Sequence, residues 1–327
     1  MEENRNKDEQ IDVSVYMMTY YHEKYVRQAI ESVLSQKTHY KFELVISDDF
    51  SQDGTREILK EYAGKYPDII RINLNERNEG IPANIYKVRS MCRGRYITNL
   101  SGDDYWINDN KIEAEASFLD EHPQYVAAFC GIELRMNDET VPYDVVPHDK
   151  SMVNREYTIK DYEKCIPLGT HGSFMRNYFL DEEGREYFAQ AQKISKFVDD
   201  AVDEVLILRK GPVYVLDIVT DAHRVVSSTE DKKNYNSRYS KLEKFKHQVD
   251  LLNGMSSRWS DEIDFSNWYA GAYATGFLSM LVSGNRSEYK DVFRSIPQEY
   301  KKPFYKNVYL RSIPKMFSFV FGYLKRN

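Results

Sequence analysis

The chain has 327 residues, a formal net charge of −6, 42% apolar and 29% charged residues, and only 15 Gly and 10 Pro. A chain of this length can remove about 75% of its unfolded surface from water, so a sizeable core is expected and collagen-like, low-complexity or wholly disordered states are excluded. No apolar run is long enough to span a membrane, the charged stretch Met1–Gln10 lacks the apolar segment of a signal peptide, and Cys92, Cys130 and Cys165 are too few and too scattered for a disulfide framework or zinc cluster. The expected compartment is the cytoplasm.

In chain order, residues 12–18 (DVSVYMM) read as a strand, and Val26, Ile30, Val33 and Leu34 then recur at helical spacing. FELVIS (42–47) is a second strand. Asp53 is placed to cap the helix in which Ile58, Leu59, Tyr62, Ala63 and Tyr66 line one face. Residues 69–74 give a third strand, 83–92 a helix, 96–100 a fourth strand, 111–121 a helix and 125–130 a fifth strand. Strands alternating with helices predict a parallel sheet with right-handed crossovers. Residues 213–219 form the clearest later strand, and the pattern from Tyr235 onward is mostly helical. The segment 301–327 carries seven Lys or Arg, no acid and seven aromatics, so the body is more acidic than the net charge indicates. Such a tail suits an anionic membrane surface; it equally suits a helix that packs its aromatics on the body with lysines in water. An acidic body makes nucleic acid an improbable partner.

Ligands of an open parallel sheet bind beyond the carboxyl ends of its strands. Here those ends carry Thr19-Tyr20-Tyr21-His22-Glu23, Ser47-Asp48-Asp49-Phe50-Ser51, Asn75 to Gly80, and Ser101-Gly102-Asp103-Asp104-Tyr105-Trp106. One acidic pair alone reads as a turn or cap. Two pairs on neighbouring strand ends repel each other and point to a bound cation. Oxygen ligands without a His/Cys cluster favour Mg or Mn over zinc, and such an ion can bridge the diphosphate of a nucleotide. The absence of G-x-x-x-x-G-K-[ST], of a strand-following G-x-G-x-x-G and of G-x-S-x-G removes the main support for P-loop, dinucleotide and α/β-hydrolase readings. A phosphorelay receiver would be far shorter, and a nucleotidyltransferase would carry a basic glycine-rich loop near the N-terminus.

The segments SVYMMTYYHEKYVRQAIESVLSQ, FELVISDDFSQDGT, the N-x-G of Asn78 and Gly80, and GRYITNLSGDDYW, in this order and spacing, resemble a family 2 glycosyltransferase of the GT-A fold and the bacterial surface-polysaccharide type. The resemblance is strong over 11–135, weaker over 165–228 and fades beyond. It implies an α/β GT-A (Rossmann-like) architecture with a mostly parallel sheet and a helical C-terminal extension. The implied division is a charged tail at 1–10 and a catalytic domain at 11–230, with a nucleotide-sugar half at 11–135 and an acceptor half at 136–230. A helical region at 231–327 follows.

Carried over residue by residue, Tyr20 stacks on the nucleobase, Asp49 accepts its ring N–H and Asp48 shapes that pocket. Thr19, Glu23, Asn78 and Gly80 complete the donor side. Asp103, with Asp104 beside it, is the implied ligand of a divalent cation. FVDD implies Asp200 as the catalytic base, with Asp199 second, and Trp106, His171 and Arg224 fall on the acceptor side. The sequence departs from the family pattern at Ser101, where many members have the first Asp of the metal motif; at Val226, where a His is common; and at Tyr21, a common Asn position. The expected activity is inverting transfer of a sugar from a nucleotide donor, UDP-linked, to a hydroxyl of a glycan or lipid-linked glycan. The inner membrane face would be the place of work, with 301–327 as the contact. A noncatalytic sugar-nucleotide-binding or scaffolding protein of the same fold is the alternative, suggested by Ser101 and Val226.

Overall fold

The run Val13–Thr19 is buried at six of its seven positions, as befits a strand flanked by strands on both edges and covered on both faces. The computed structural model describes residues 10–136, 142–147, 150–166, 168, 173–180, 185, 193–194, 200–225, 239–282 and 286–308, with 200, 281–282 and 286–289 described in backbone alone. Its first part comprises β1 (Val13–Thr19), α1 (Val26–Leu34), β2 (Phe42–Asp48), α2 (Thr55–Lys65), β3 (Ile70–Leu74), α3 (Ile81–Ser90), β4 (Tyr96–Ser101), β5 (Tyr105–Trp106), α4 (Lys111–Glu121) and β6 (Ala127–Met136). There follow β7 (Asp144–Val146), β8 (Arg155–Tyr157), α5 (Ile159–Glu163), β9 (Ser173–Arg176), α6 (Asp200–Lys210), β10 (Val213–Val225), α7 (Lys241–Trp259), α8 (Ser266–Val282) and α9 (Arg286–Arg294).

Among the described residues one ten-stranded sheet runs in the order β3-β2-β1-β4-β9-β6-β10-β5, with β7 added on β6 and β8 on β10. The long ladders β1/β2, β1/β4, β2/β3 and β6/β10 are parallel. The short strands β5, β7, β8 and β9 are joined antiparallel. The expected α/β architecture with helices flanking a sheet is what the chain adopts.

Alternation along β1 divides its residues between two faces. Val13, Val15 and Met17 enter a core with Val26, Ala29, Ile30 and Val33 of α1, Ile58 and Leu59 of α2, and Ile112, Ala116 and Leu119 of α4. The i, i+3, i+4, i+7 spacing in α1 gives that helix its single apolar stripe. Each of the Val, Ile, Leu and Met side chains among them contributes about 1.5–3 kcal/mol on burial. Tyr16, on the opposite face, meets Arg89 of α3.

Two strands outrun their expected length: β6 continues to Met136 and β10 to Val225. The two pair over nine residues with bulges near Val219, and this lengthening carries β10 to the sheet edge where His223 and Arg224 lie. The short strands β5, β7, β8 and β9 were not anticipated from the pattern. Gly54, rather than Asp53, holds the N-cap of α2; Asp53 Oδ1 still accepts the Thr55 N–H at 3.2 Å.

The chain divides into two units, 1–159 with 168–227, and 160–167 with 228–327. In the second, Trp268 Nε1 donates to the Tyr162 carbonyl at 2.7 Å and the two rings lie 4.7 Å apart. Ser240 and Glu243 close a reciprocal capping box at the start of α7. Of the tail aromatics within the described residues, Phe304 is buried beside Phe277 and Phe293, while Tyr305 is 56% exposed. Residues 309–327 lie outside the described residues, and no described helix is long and apolar enough to cross a membrane.

Candidate functional site

Register brings the strand ends together: Thr19 pairs with Asp48, Met18 with Ser101, and Asp48 with Leu74. The chain therefore leaves β1, β2, β3 and β4 along one edge. Tyr21 and Phe50, the second residues beyond β1 and β2, have φ of 61° and 69°. Such left-handed backbone is strained for aromatic residues and is retained only where the surroundings enforce it. Tyr21 is held by its N–H on Ser51 Oγ at 2.9 Å, and Tyr20, its ring 4.6 Å from that of Tyr21, stays 38% exposed at the rim.

The Asp48-Asp49 pair is heavily compensated by the protein itself. Asp48, fully buried, accepts from Thr19 Oγ1 at 3.0 Å, Ser51 N at 2.9 Å and Ser51 Oγ at 2.5 Å, with Arg56 Nε 3.5 Å away. It is the turn-forming Asp that its sequence context suggested, and it ties β1 to β2. Asp49 fastens the next loop: Oδ1 accepts from Asn75 Nδ2 at 3.0 Å and Glu79 N at 2.8 Å, and Oδ2 from Gly80 N at 3.0 Å. Asn78 Nδ2 donates to the Asp49 carbonyl at 3.3 Å. A carboxylate oxygen has two acceptor sites, so Oδ2 keeps room for one more donor. Gly80, at φ 86°, makes the bend that starts α3, a conformation costly for any side chain. Exposed Glu23 lies over Gly54, and its N–H meets Asp53 Oδ2 at 3.3 Å.

The second acidic pair sits on a turn pressed against β1. Gly102 N donates to the Met18 carbonyl at 3.0 Å, and a Cβ on Gly102 would come within 2.6 Å of Thr19 Cγ2 and 2.8 Å of His22 Nδ1. Asp103 is partly exposed; Ser101 Oγ donates to its Oδ1, and His22 Nε2 lies 3.8 Å from its Oδ2. Burial raises the Asp103 pKa, but the His22 charge and the Ser101 hydroxyl outweigh it and hold the group below the ordinary carboxylate range. Asp104 is buried, and its oxygens face His223 Nδ1 at 3.0 and 3.1 Å and Arg224 N at 2.8 Å. Burial and then the neighbouring Asp103 charge push it upward against those donors.

Arg224 completes this brace. It is 3% exposed, its Nη1 donates to the Asp103 carbonyl and its Nη2 to Gln28 Oε1 at 2.6 Å, and its guanidinium lies 4.5 Å from the Tyr25 ring centroid and 5.1 Å from that of Tyr105. Trp106 is likewise in the core, 4% exposed with Lys111 Nζ 5.4 Å from its ring. Both residues are buried rather than open at the rim. His171 and Asp199 lie outside the described residues, as does Val226, and Asp200 is described only as the first residue of α6.

A cation of the Mg or Mn class prefers oxygen ligands and commonly takes one or two from carboxylates and the rest from substrate phosphates and water. Among the described residues no three His, Cys, Asp or Glu side chains gather as a cage. Asp104 is engaged by His223 and Arg224, which leaves Asp103, partly exposed at the rim, as the carboxylate best able to take such an ion. One carboxylate fits a cation that arrives with a diphosphate; it does not fit one held by protein alone. His22 and His223 were not singled out as site residues from sequence. His22 lies within a quoted strand-end loop, but only the fold shows it turning back onto Asp103.

Parallel strands that release an exposed tyrosine, an amide-rich loop and a carboxylate turn along one edge define an α/β protein of the class whose ligands bind beyond the carboxyl ends of the strands. The sequence pattern described as glycosyl transferase family 2 matches residues 14–184, more than half of the chain, and the chain belongs to that family. A Mycobacterium tuberculosis protein is 35% identical over 126 residues, covering 38% of this chain and 36% of its own. Bacillus subtilis EpsE, assigned as a glycosyltransferase, is 36% identical over 120 residues, 37% of this chain and 42% of its own. Bacillus subtilis TuaG, assigned to teichuronic acid biosynthesis, is 33% identical over 149 residues, 46% and 57% respectively. The chain thus spans about a third to three fifths of the length of these relatives. The structure of S. aureus TarS residues 1–349 in complex with UDP-GlcNAc superposes with a TM-score of 0.52 at 18% identity, over 89% of this chain and 92% of that one. This likeness is one of fold, and the fold is GT-A.

Proposed function

We propose that the chain transfers a sugar from a nucleotide diphosphate donor, UDP-linked, to a hydroxyl of a glycan or lipid-linked glycan acceptor, with inversion. The observation that supports this best is the junction of the β1, β2, β4 and β10 ends, where Asp49, Asp103, His22 and Arg224 are held along one edge in a chain of family 2. The teichuronic acid biosynthesis in TuaG's name supports the choice of a glycan acceptor, and the UDP-GlcNAc bound by TarS supports the choice of uridine.

In this reading Tyr20 offers its exposed ring to the base, and Asp49 Oδ2, with one acceptor site to spare, takes a base N–H. Thr19 and Asp48 keep β1 and β2 in step beneath it. Glu23, Asn78 and Gly80 border the same pocket. Asp103 would hold Mg or Mn brought in with the donor, and Asp104 fixes the turn through His223 and Arg224. When bound, the ion neutralises charge growing on the departing diphosphate. Asp200, with Asp199 as the second candidate, removes the acceptor proton as the hydroxyl attacks the anomeric carbon from the opposite side.

Two other acids near the start of α6 are already engaged, which supports that choice. Asp203 is bound to Arg89, and Glu204 Oε1 accepts from Tyr157 Oη at 2.9 Å and Leu168 N at 3.1 Å. Trp106, Arg224 and His171 are assigned to the acceptor side, the first two as its supporting wall.

The test is release of UDP from a panel of UDP-hexoses with added glycan acceptors, in Mn and in EDTA. Asp200→Asn should lower turnover by about 10²–10⁴-fold while sparing donor binding. Undiminished turnover in that variant would remove the assignment of the base, and absence of any turnover with intact donor binding would favour the noncatalytic reading.

The proposed place of work is the cytoplasmic membrane face, reached through the basic aromatic segment 301–327, of which Tyr305 is the exposed aromatic within the described residues. Removal of 301–327 should abolish sedimentation with anionic liposomes; equal binding by both forms contradicts the contact.

A further inference from the structure

Arg89 lies on α3, yet its guanidinium is committed to two other elements. It is 4% exposed. Nη1 donates to Asp203 Oδ1 at 2.9 Å and Nη2 to Asp203 Oδ2, a two-pronged pair across to α6. Nη2 also donates to Tyr16 Oη at 2.7 Å, with the guanidinium 5.0 Å from the Tyr16 ring centroid on β1. Burial pushes the Tyr16 hydroxyl up to about 12, although the Arg89 charge pulls the other way, so the phenol stays protonated at neutral pH.

Tyr16 stands three residues before Thr19, where the rim begins, and Asp203 stands three residues after Asp200, within one helical turn. One guanidinium therefore joins the strand that leads to the donor side with the first turn of the helix that starts at Asp200. On the same turn, the neighbouring Glu204 is tied to Tyr157 and Leu168. A buried ion pair is a weak source of stability compared with an apolar substitute of similar volume, because both charges must be desolvated. Its planar two-pronged geometry, by contrast, admits little freedom of distance or orientation. Apolar packing alone would hold α6 against the sheet while leaving more freedom to slide.

We infer that Arg89 and Asp203 are positioning residues that fix the first turn of α6, and with it the catalytic base, relative to the donor-side strand β1. The inference rests on the reading of Asp200 as the base. It gives two residues remote from the reacting atoms a defined part in turnover.

The test compares Arg89→Met, Arg89→Lys, Asp203→Asn, the Arg89→Met/Asp203→Asn double variant and Asp200→Asn in the full chain, well below each unfolding midpoint. Amide hydrogen exchange over 200–206 and steady-state UDP release from UDP-hexoses are the readouts. Expected for Arg89→Met and Asp203→Asn are about tenfold faster exchange in that segment and a kcat lowered about 10–100-fold with donor KM within about threefold. The double variant should be no worse than the poorer single one, since both remove the same pair. Arg89→Lys, which keeps charge but loses the fork, should fall between wild type and Arg89→Met and serves if the methionine variant does not fold.

Unchanged exchange and kcat in folded Arg89 and Asp203 variants, with Asp200→Asn inactive, overturn the positioning role alone. Full turnover by Asp200→Asn overturns the reading of the base and the positioning role with it.

Discussion

Glu115 is fully buried, and it does not touch the rim. Its Oε1 accepts from Lys111 Nζ at 3.1 Å and Cys130 Sγ at 2.7 Å, while Lys111 Nζ also reaches Asp221 Oδ2 at 2.9 Å and Thr220 Oγ1 at 3.2 Å. Burial raises its pKa to about 7; Lys111 opposes the shift and Asp221 adds to it. A carboxyl whose folded pKa lies above its unfolded value binds its proton more tightly when folded. Its contribution is therefore greatest below the unfolded value near 4.5 and is lost as pH rises through about 7. Thermal midpoints between pH 5 and 8 should show this as a decline that Glu115→Gln removes, with a difference of up to about 3 kcal/mol. Parallel pH profiles for the two proteins would show that Glu115 does not titrate there. Cys130, beside it, is pushed well above the ordinary thiol range by burial and then by the Glu115 charge, and so remains an inert thiol.

At the level of elements, the site depends on how closely the turn after β4 approaches β1. Gly102→Ala would bring a Cβ within 2.6 Å of Thr19 Cγ2 and 3.2 Å of the Met18 carbonyl, and the second of these is backbone that cannot swing aside. The expected cost is about 1–3 kcal/mol in denaturant unfolding, together with weaker nucleotide binding; a variant of wild-type stability would mean the turn is free to move.

Much of the surrounding architecture was legible in the sequence. β1 to β4 and α1, α2 and α4 announce themselves through apolar runs of period one or stripes of period 3.6, because parallel buried strands and amphipathic helices leave such traces. β5, β7, β8 and β9 did not, since strands of two to four residues are too short to carry a pattern. β9 also pairs antiparallel between β4 and β6, a placement set by distant partners. At the site, the loops holding Asp49 and Asp103 were readable as strand ends. What the sequence could not show is how many of their acceptor sites the protein itself fills: two acidic pairs looked like uncompensated charge, yet Asp48 and Asp104 are met by Thr19, Ser51, His223 and Arg224. Those donors come from up to 120 residues away in sequence.

For the whole molecule, the proposed site of nucleotide recognition is the sheet edge of the first unit. There Asp103 is proposed to present a carboxylate to a cation carried by the donor diphosphate. Calorimetric titration of UDP into the full chain, with Mn and with EDTA, tests this role of Asp103 when wild type, Asp103→Asn and Asp200→Asn are compared. Mn should strengthen UDP binding in wild type and in Asp200→Asn, and Asp103→Asn should lose about tenfold or more of the Mn-dependent part. Binding of equal strength in Mn and EDTA, or a full Mn effect in Asp103→Asn, would contradict it.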